Sequence, residues 1–135
     1  MALIVWDKRL DTGHPQIDEQ HKSVVEIFNR LHGAMKQGKG KAEMEGILLF
    51  LQDHIVRHFA MEEVLMAQHQ YSREEQHREL HADLVRQVAD LVVHFQQSTA
   101  TLTLPMMNFL EDLVVEHICG YDQHIVVELK GKVIK

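Results

Sequence analysis

The chain has 135 residues, with 14 Lys or Arg against 20 Asp or Glu and a formal charge of −6. That length suits one domain with a real core, and a net acidic chain without a Lys/Arg block argues against nucleic acid or anionic membrane as a partner. The single Cys119 cannot form an internal disulfide, no run nears 18 apolar residues, and MALIVWDKRL lacks the pattern of a secretion signal, so a soluble cytoplasmic protein is expected.

Seven Gly and two Pro lie well below the roughly 12% of ordinary usage and favour helix. Residues 1–16 read as an N-terminal arm ending in TGHPQ, where Gly13 and Pro15 forbid a continuous helix. A first helix is predicted over about 18–36, stopped at QGKGK by Gly38 and Gly40. A second is predicted over about 42–67. Ser72 and Glu75 make a capping box for a third, over about 73–97. The polar stretch STATLT then ends at Pro105, suited to the first turn of a fourth helix over about 105–130.

Each segment carries an inward stripe with steps of three and four. The first has Ile17, His21, Val24, Phe28, Leu31 and Met35. The second has Ile47 or Leu48, Leu51, Ile55, His58, Glu62 and Leu65. The third has His77, His81, Leu84, Val88, Leu91 and Phe95, and the fourth Met106, Leu110, Leu113, His117 and Tyr121. Four such helices with short loops specify an all-α fold, an up-down-up-down four-helix bundle.

Eleven residues are His, and His21, His58, His77, His81, His117 and also Glu62 occupy stripe positions where a bundle wants Leu. A lone His there is more often a hydrogen-bonded core residue, but six polar groups in register would be costly to bury without a partner. In this topology the starts of the first and third helices meet the ends of the second and fourth, so the six converge in one layer. His32 and His94 fall at the opposite end, and His14 in the arm.

Residues four apart on a helix differ by about 40° and can reach one site. His58/Glu62 and His77/His81 have this spacing, and so does His54/His58, which leaves His54 open. Asp122 follows His117 by five residues, about 140° round an ideal helix. Both face one site only if the helix loosens into a π-bulge, expected at Cys119-Gly120; otherwise Asp122 reads as a solvated carboxylate. Five imidazoles and two carboxylates exceed the roughly four ligands of zinc and suit two carboxylate-bridged iron ions. HRELH is not the zinc-protease pattern HExxH, since Glu79 stands two places after His77. Carboxylate-rich di-iron enzymes need Glu-x-x-His on two helices, and only Glu74 to His77 is present, which weakens the oxidase reading.

The chain resembles the hemerythrin family in its stand-alone bacterial form, bacteriohemerythrin. The resemblance rests on Trp6-Asp7, GHPQIDEQH (13–21), HFAMEE (58–63), HRELH (77–81) and HICGYD (117–122), in the family's order and spacing. It implies that His77, His81 and His117 bind one iron and His21 and His58 the other. Glu62 and Asp122 would bridge the pair with an oxo or hydroxo oxygen, and His54 would be structural. The second iron, with two imidazoles, would keep an open position for O2, and apolar residues such as Leu84, Leu113 and Ile118 would keep water away. Where the family commonly carries Trp four places before the last His, this chain has Leu113, which would leave a roomier pocket or an access path.

The implied function is reversible O2 binding for transport, storage or delivery, without catalysis, by a monomer with an O2-consuming enzyme as recipient. Two alternatives belong to other classes. One is a di-iron oxidase, peroxidase or NO scavenger. The other is an O2 or redox sensor acting through a separate partner, since 135 residues leave no room for a fused signalling module. Cys119 and the seven Met residues read as packing groups.

Overall fold

A computed structural model describes residue 4, residues 12–98 and residues 103–134, without the side chains of 118, 119 and 129–134. Trp6 and Asp7, residues 99–102 and the side chains of Ile118 and Cys119 lie outside that description.

Helix α1 spans Pro15–Lys36. It starts three residues before the sequence expectation because Pro15 stands in the first turn, where a missing N–H costs nothing. His14 caps it, its Nδ1 accepting from the Ile17 N–H at 3.3 Å. Asp18 fastens the preceding turn: its carboxylate accepts from Thr12 N–H (2.8 Å), Thr12 Oγ1–H (2.6 Å) and Gly13 N–H (3.1 Å). Gly13 takes φ 87°, a conformation that favours glycine. Ile4 is tied to α1 through the Asn29 side chain: its N–H donates to Asn29 Oδ1 at 3.0 Å and its carbonyl accepts from Asn29 Nδ2 at 2.8 Å.

Helix α2 spans Lys41–His69 and ends at Gln70 in the left-handed region. Helix α3 spans Glu74–Gln97. The capping box expected from Ser72 and Glu75 does not form. Arg73 holds the cap position without a side-chain bond, and Ser72 instead donates its N–H and Oγ–H to Glu128, at 2.8 and 2.5 Å. A carboxylate from another helix outcompetes a local backbone partner, because hydrogen bonds to charged acceptors are the stronger ones.

Thr103 caps helix α4, Leu104–Asp112, with its hydroxyl accepting from Met106 N–H. The rod then continues without interruption as a π-helical segment, Leu113–Tyr121, and as helix α5, Asp122–Ile134. Among the described residues there is no strand. Helix α1 packs on α2, α2 on α3, and the fourth rod closes the four-helix bundle against α1 and α2. No described helix is long and apolar enough to cross a membrane.

The main core holds Phe28, Leu31, Leu48, Leu51, Ile55, Val88, Phe95, Met107 and Leu110, with Leu113 and Val114 at its upper edge. Met66, Tyr71 and Ile125 form a second, smaller apolar cluster. Leu65, assigned to the stripe, is only half-buried, and its neighbour Met66 takes the inward position. Tyr121 departs further: it is 51% exposed, whereas Asp122 is fully buried. The π-helical turn needs five residues where an α-turn needs four, so the inward position after His117 moves from 121 to 122.

Asp18→Ala removes three charge-assisted bonds that tie residues 12 and 13 to α1. Urea unfolding is expected to show a loss of about 1–3 kcal/mol.

Candidate metal centre

The bundle places seven polar side chains in one layer: His21 from α1, His58 and Glu62 from α2, His77 and His81 from α3, His117 from the π-helical segment, and Asp122 at the start of α5. None is more than 7% exposed. Their donor atoms form two groups, each with all members within 4.8 Å of one another: His77, His81, His117, Glu62 and Asp122 in one; His21, His58, Glu62 and Asp122 in the other. The two carboxylates belong to both.

Each carboxylate turns one oxygen to each group. Glu62 Oε2 lies 3.2 Å from His58 Nε2, while its Oε1 lies 3.3 Å from His77 Nε2 and 3.1 Å from His81 Nε2. Asp122 Oδ2 lies 2.8 Å from both His21 Nε2 and His58 Nε2, and its Oδ1 lies 3.4 Å from His77 Nε2. The π-helical segment makes this possible, since His117 and Asp122 would diverge on an unbroken α-helix.

Close approach is not the same as satisfaction. Both ring nitrogens of buried His117 make no hydrogen bond, and neither do His81 Nε2 and Glu62 Oε2, although each of the latter two has an oppositely disposed neighbour near 3 Å. His21 Nε2 and His58 Nε2 also face each other at 3.1 Å. Buried polar atoms are normally paired, so converging lone pairs of this number fit metal ions in the space they surround. The donor chemistry agrees: nitrogen plus carboxylate oxygen, with no described sulfur, suits iron.

The protonation states fit as well. Burial, reinforced by the nearby His58, pushes His21 down to about 3. Burial, with His81 and His77 beside it, does the same to His117, also to about 3. Burial alone would raise the Glu62 carboxyl, but the close polar contacts of Asp122, His58, His77 and His81 hold it well below its ordinary range. Neutral imidazoles and an ionised carboxylate are the forms that bind metal.

Residues that sequence reasoning passed over surround this layer. Phe59 stacks on His81 with centroids 3.9 Å apart at 7°, and meets His117 edge-on at 5.1 Å. Gln20 accepts from His58 Nδ1 at 2.8 Å, and Glu63 stands 3.4 Å from His81 Nδ1. Phe59 and Glu63 lie inside HFAMEE, the stretch already singled out, so proximity in sequence was the available signal. Gln20 lies likewise inside GHPQIDEQH, next to His21.

The remaining histidines stay outside both groups. His54 donates through Nδ1 to the Phe50 carbonyl at 3.1 Å and rests edge-on against the Phe50 ring. His32 is buried in α1, and His14 is the cap described above. A cavity of about 220 Å³ reaches His117 past Leu80, Leu84, Phe109, Leu113 and Tyr121. A polar cleft of about 320 Å³ borders His58, between Gln20 and His54. The hollow between Ile4 and α1 lies away from the donor layer.

A sequence profile described as "Hemerythrin HHE cation binding domain" matches residues 12–129. The chain belongs to the hemerythrin family. A Pseudomonas aeruginosa bacteriohemerythrin (strain LESB58) is 41% identical over 96 residues, 71% of this chain and 62% of that protein, so the match spans less than two thirds of the relative's length. Bacteriohemerythrins of Stenotrophomonas maltophilia (30% identity, 97% of this chain and 84% of that protein) and Methylococcus capsulatus (32%, 91% and 94%) align over more of their length. A crystal structure of wild-type hemerythrin superimposes with a TM-score of 0.81 at 31% identity, covering 90% of this chain and 94% of that one. That of a hemerythrin point variant gives 0.85 at 31% identity, covering 96% and 98%.

The lowered His21 and His117 values set a pH dependence for the metal-free protein. Below about pH 6.5 the unfolded chain takes up protons that the folded rings refuse, so stability is complete above that pH and falls as pH drops toward 3. The limiting slope is about 1.4 kcal/mol per pH unit for each such ring. Thermal melts of the metal-free protein between pH 7.5 and 5 are expected to show a falling midpoint.

Proposed function

We propose that this hemerythrin holds two iron ions and binds O2 reversibly, as a carrier or store rather than as an enzyme. The observation that carries the reading is the pair of donor groups sharing Glu62 and Asp122. In this reading His77, His81 and His117 hold one iron, His21 and His58 the other, and the two carboxylates bridge them. The bacteriohemerythrin name of the relatives supports it.

Iron in these positions supplies the electrons and the open coordination that O2 binding needs. The chain's own contribution is selection, placement and exclusion. Neutral His21 and His117 keep the layer from repelling cations, and the ionised Glu62 offsets part of their charge. One group offers three imidazoles and the other two, so with both carboxylates shared the second group has one protein donor fewer. That deficit is where an external ligand fits. Phe59 locks the His81 plane by stacking, and Leu113, 4% exposed, with half-buried Leu84 gives the adjoining cavity an apolar wall. A cytoplasmic setting, a monomeric state and an O2-consuming enzyme as recipient complete the proposal.

The test is to load the chain anaerobically with ferrous iron and admit air. An absorption band that bleaches under vacuum and returns with air is expected. Irreversible decay with steady consumption of a reductant would instead establish an oxidase or peroxidase.

Glu62→Ala removes one donor from both groups at once. Iron analysis is expected to fall clearly below two per chain, and a value of two would refute the bridging role.

A further inference from the structure

Two of the five imidazoles are braced on the side facing away from the donor layer, and the braces differ in charge. His58 points Nε2 inward and donates through Nδ1 to Gln20 Oε1 at 2.8 Å, a neutral amide oxygen. His81 points Nε2 inward and directs Nδ1 at Glu63 Oε2, 3.4 Å away. Glu63 is itself held: Arg78 donates to its Oε1 at 2.7 Å and to its backbone carbonyl at 3.2 Å. A third bond, Arg78 Nε to Glu74 at 2.8 Å, fixes the guanidinium. The outward nitrogens of His21 and His117 make no hydrogen bond.

A carboxylate that accepts an imidazole N–H draws that proton toward itself and makes the opposite nitrogen a stronger donor. An amide oxygen fixes the same tautomer without adding charge. Arg78 offsets part of the Glu63 charge, but its side chain is 42% exposed and its field is screened by water, whereas Glu63 acts directly on the ring.

We infer that Glu63 and Gln20 are positioning residues that make the two metal positions electronically unequal, the three-imidazole position being the more electron-rich. The inference rests on the di-iron reading above. It implies that ferrous iron held with His81 gives up its electron before ferrous iron held with His58 when a one-electron oxidant such as ferricyanide, reduced to ferrocyanide, is supplied.

The experiment compares iron-loaded wild type with Glu63→Gln and Gln20→Glu. Midpoint potentials come from spectroelectrochemistry, iron loss from competition with a chelator, and folding from circular dichroism and thermal melts. Wild type is expected to show two separated one-electron steps. Glu63→Gln keeps the shape and an acceptor oxygen, so a merely structural role would leave the potentials in place. The expected result is instead a rise of the lower step and loss of one of the two irons about 10–100-fold faster. Gln20→Glu is expected to lower the upper step. Unchanged potentials and iron-loss rates in a folded Glu63→Gln variant overturn the inference while leaving the di-iron reading intact. Should that variant not fold, Gln20→Glu decides alone, and an unmoved upper step overturns it. Fewer than two irons in wild type would overturn both readings together.

Discussion

The carboxylates of Glu62 and Asp122 are fully buried, and the architecture at this end of the bundle is arranged around them. An ionised carboxylate in an apolar interior is prohibitively costly unless something compensates its charge. Here each is surrounded by imidazoles from several helices at about 3 Å. The layer therefore cannot be assembled by any one helix. It forms only when α1, α2, α3 and the fourth rod are in register, and it then links all of them.

The division of the core follows. Below the layer, Phe28, Leu48, Leu51, Ile55, Phe95 and Leu110 fill the bundle as aliphatic and aromatic packing. Above it, among the described residues, Met66, Tyr71 and Ile125 form a smaller cluster with Leu65 packed against it. The large core supplies the rigidity and the small cap leaves the donor layer near the outside, with the Leu113 cavity on one flank and the His54 cleft on another. A ligand site needs both properties: a framework stiff enough to hold donors apart and a short route in.

Much of this was legible in the sequence, because periodicity reports which face of a helix turns inward. His21, His58, Glu62, His77, His81 and His117 broke an apolar rhythm at positions that topology brings to one end. Asp122 was legible only conditionally, since its spacing from His117 required a loosened helix, and the structure has one over Leu113–Tyr121. That segment also explains the misreading of Tyr121, which an ideal α-period places inside. Ser72 was misread for another reason: a capping box is a local pattern, and its partner, Glu128, is 56 residues away. The braces at Gln20 and Glu63 carry no periodic signature, since half-buried polar residues are ordinary on any helix.

The fourth rod thus carries two phases of one screw. Upstream of the π-helical segment its inward residues include Leu110, Leu113 and His117; downstream they are Asp122, Ile125 and Val126. Such a rod behaves like a vernier, in which a small change of pitch between two scales becomes a visible offset at the far end. Winding or unwinding the Leu113–Tyr121 turn would rotate Asp122 together with the buried Ile125 and the Glu128 that grips Ser72. Whatever happens at the carboxylate is thereby geared to the loop between α2 and α3, through backbone torsion and the Glu128–Ser72 hydrogen bonds.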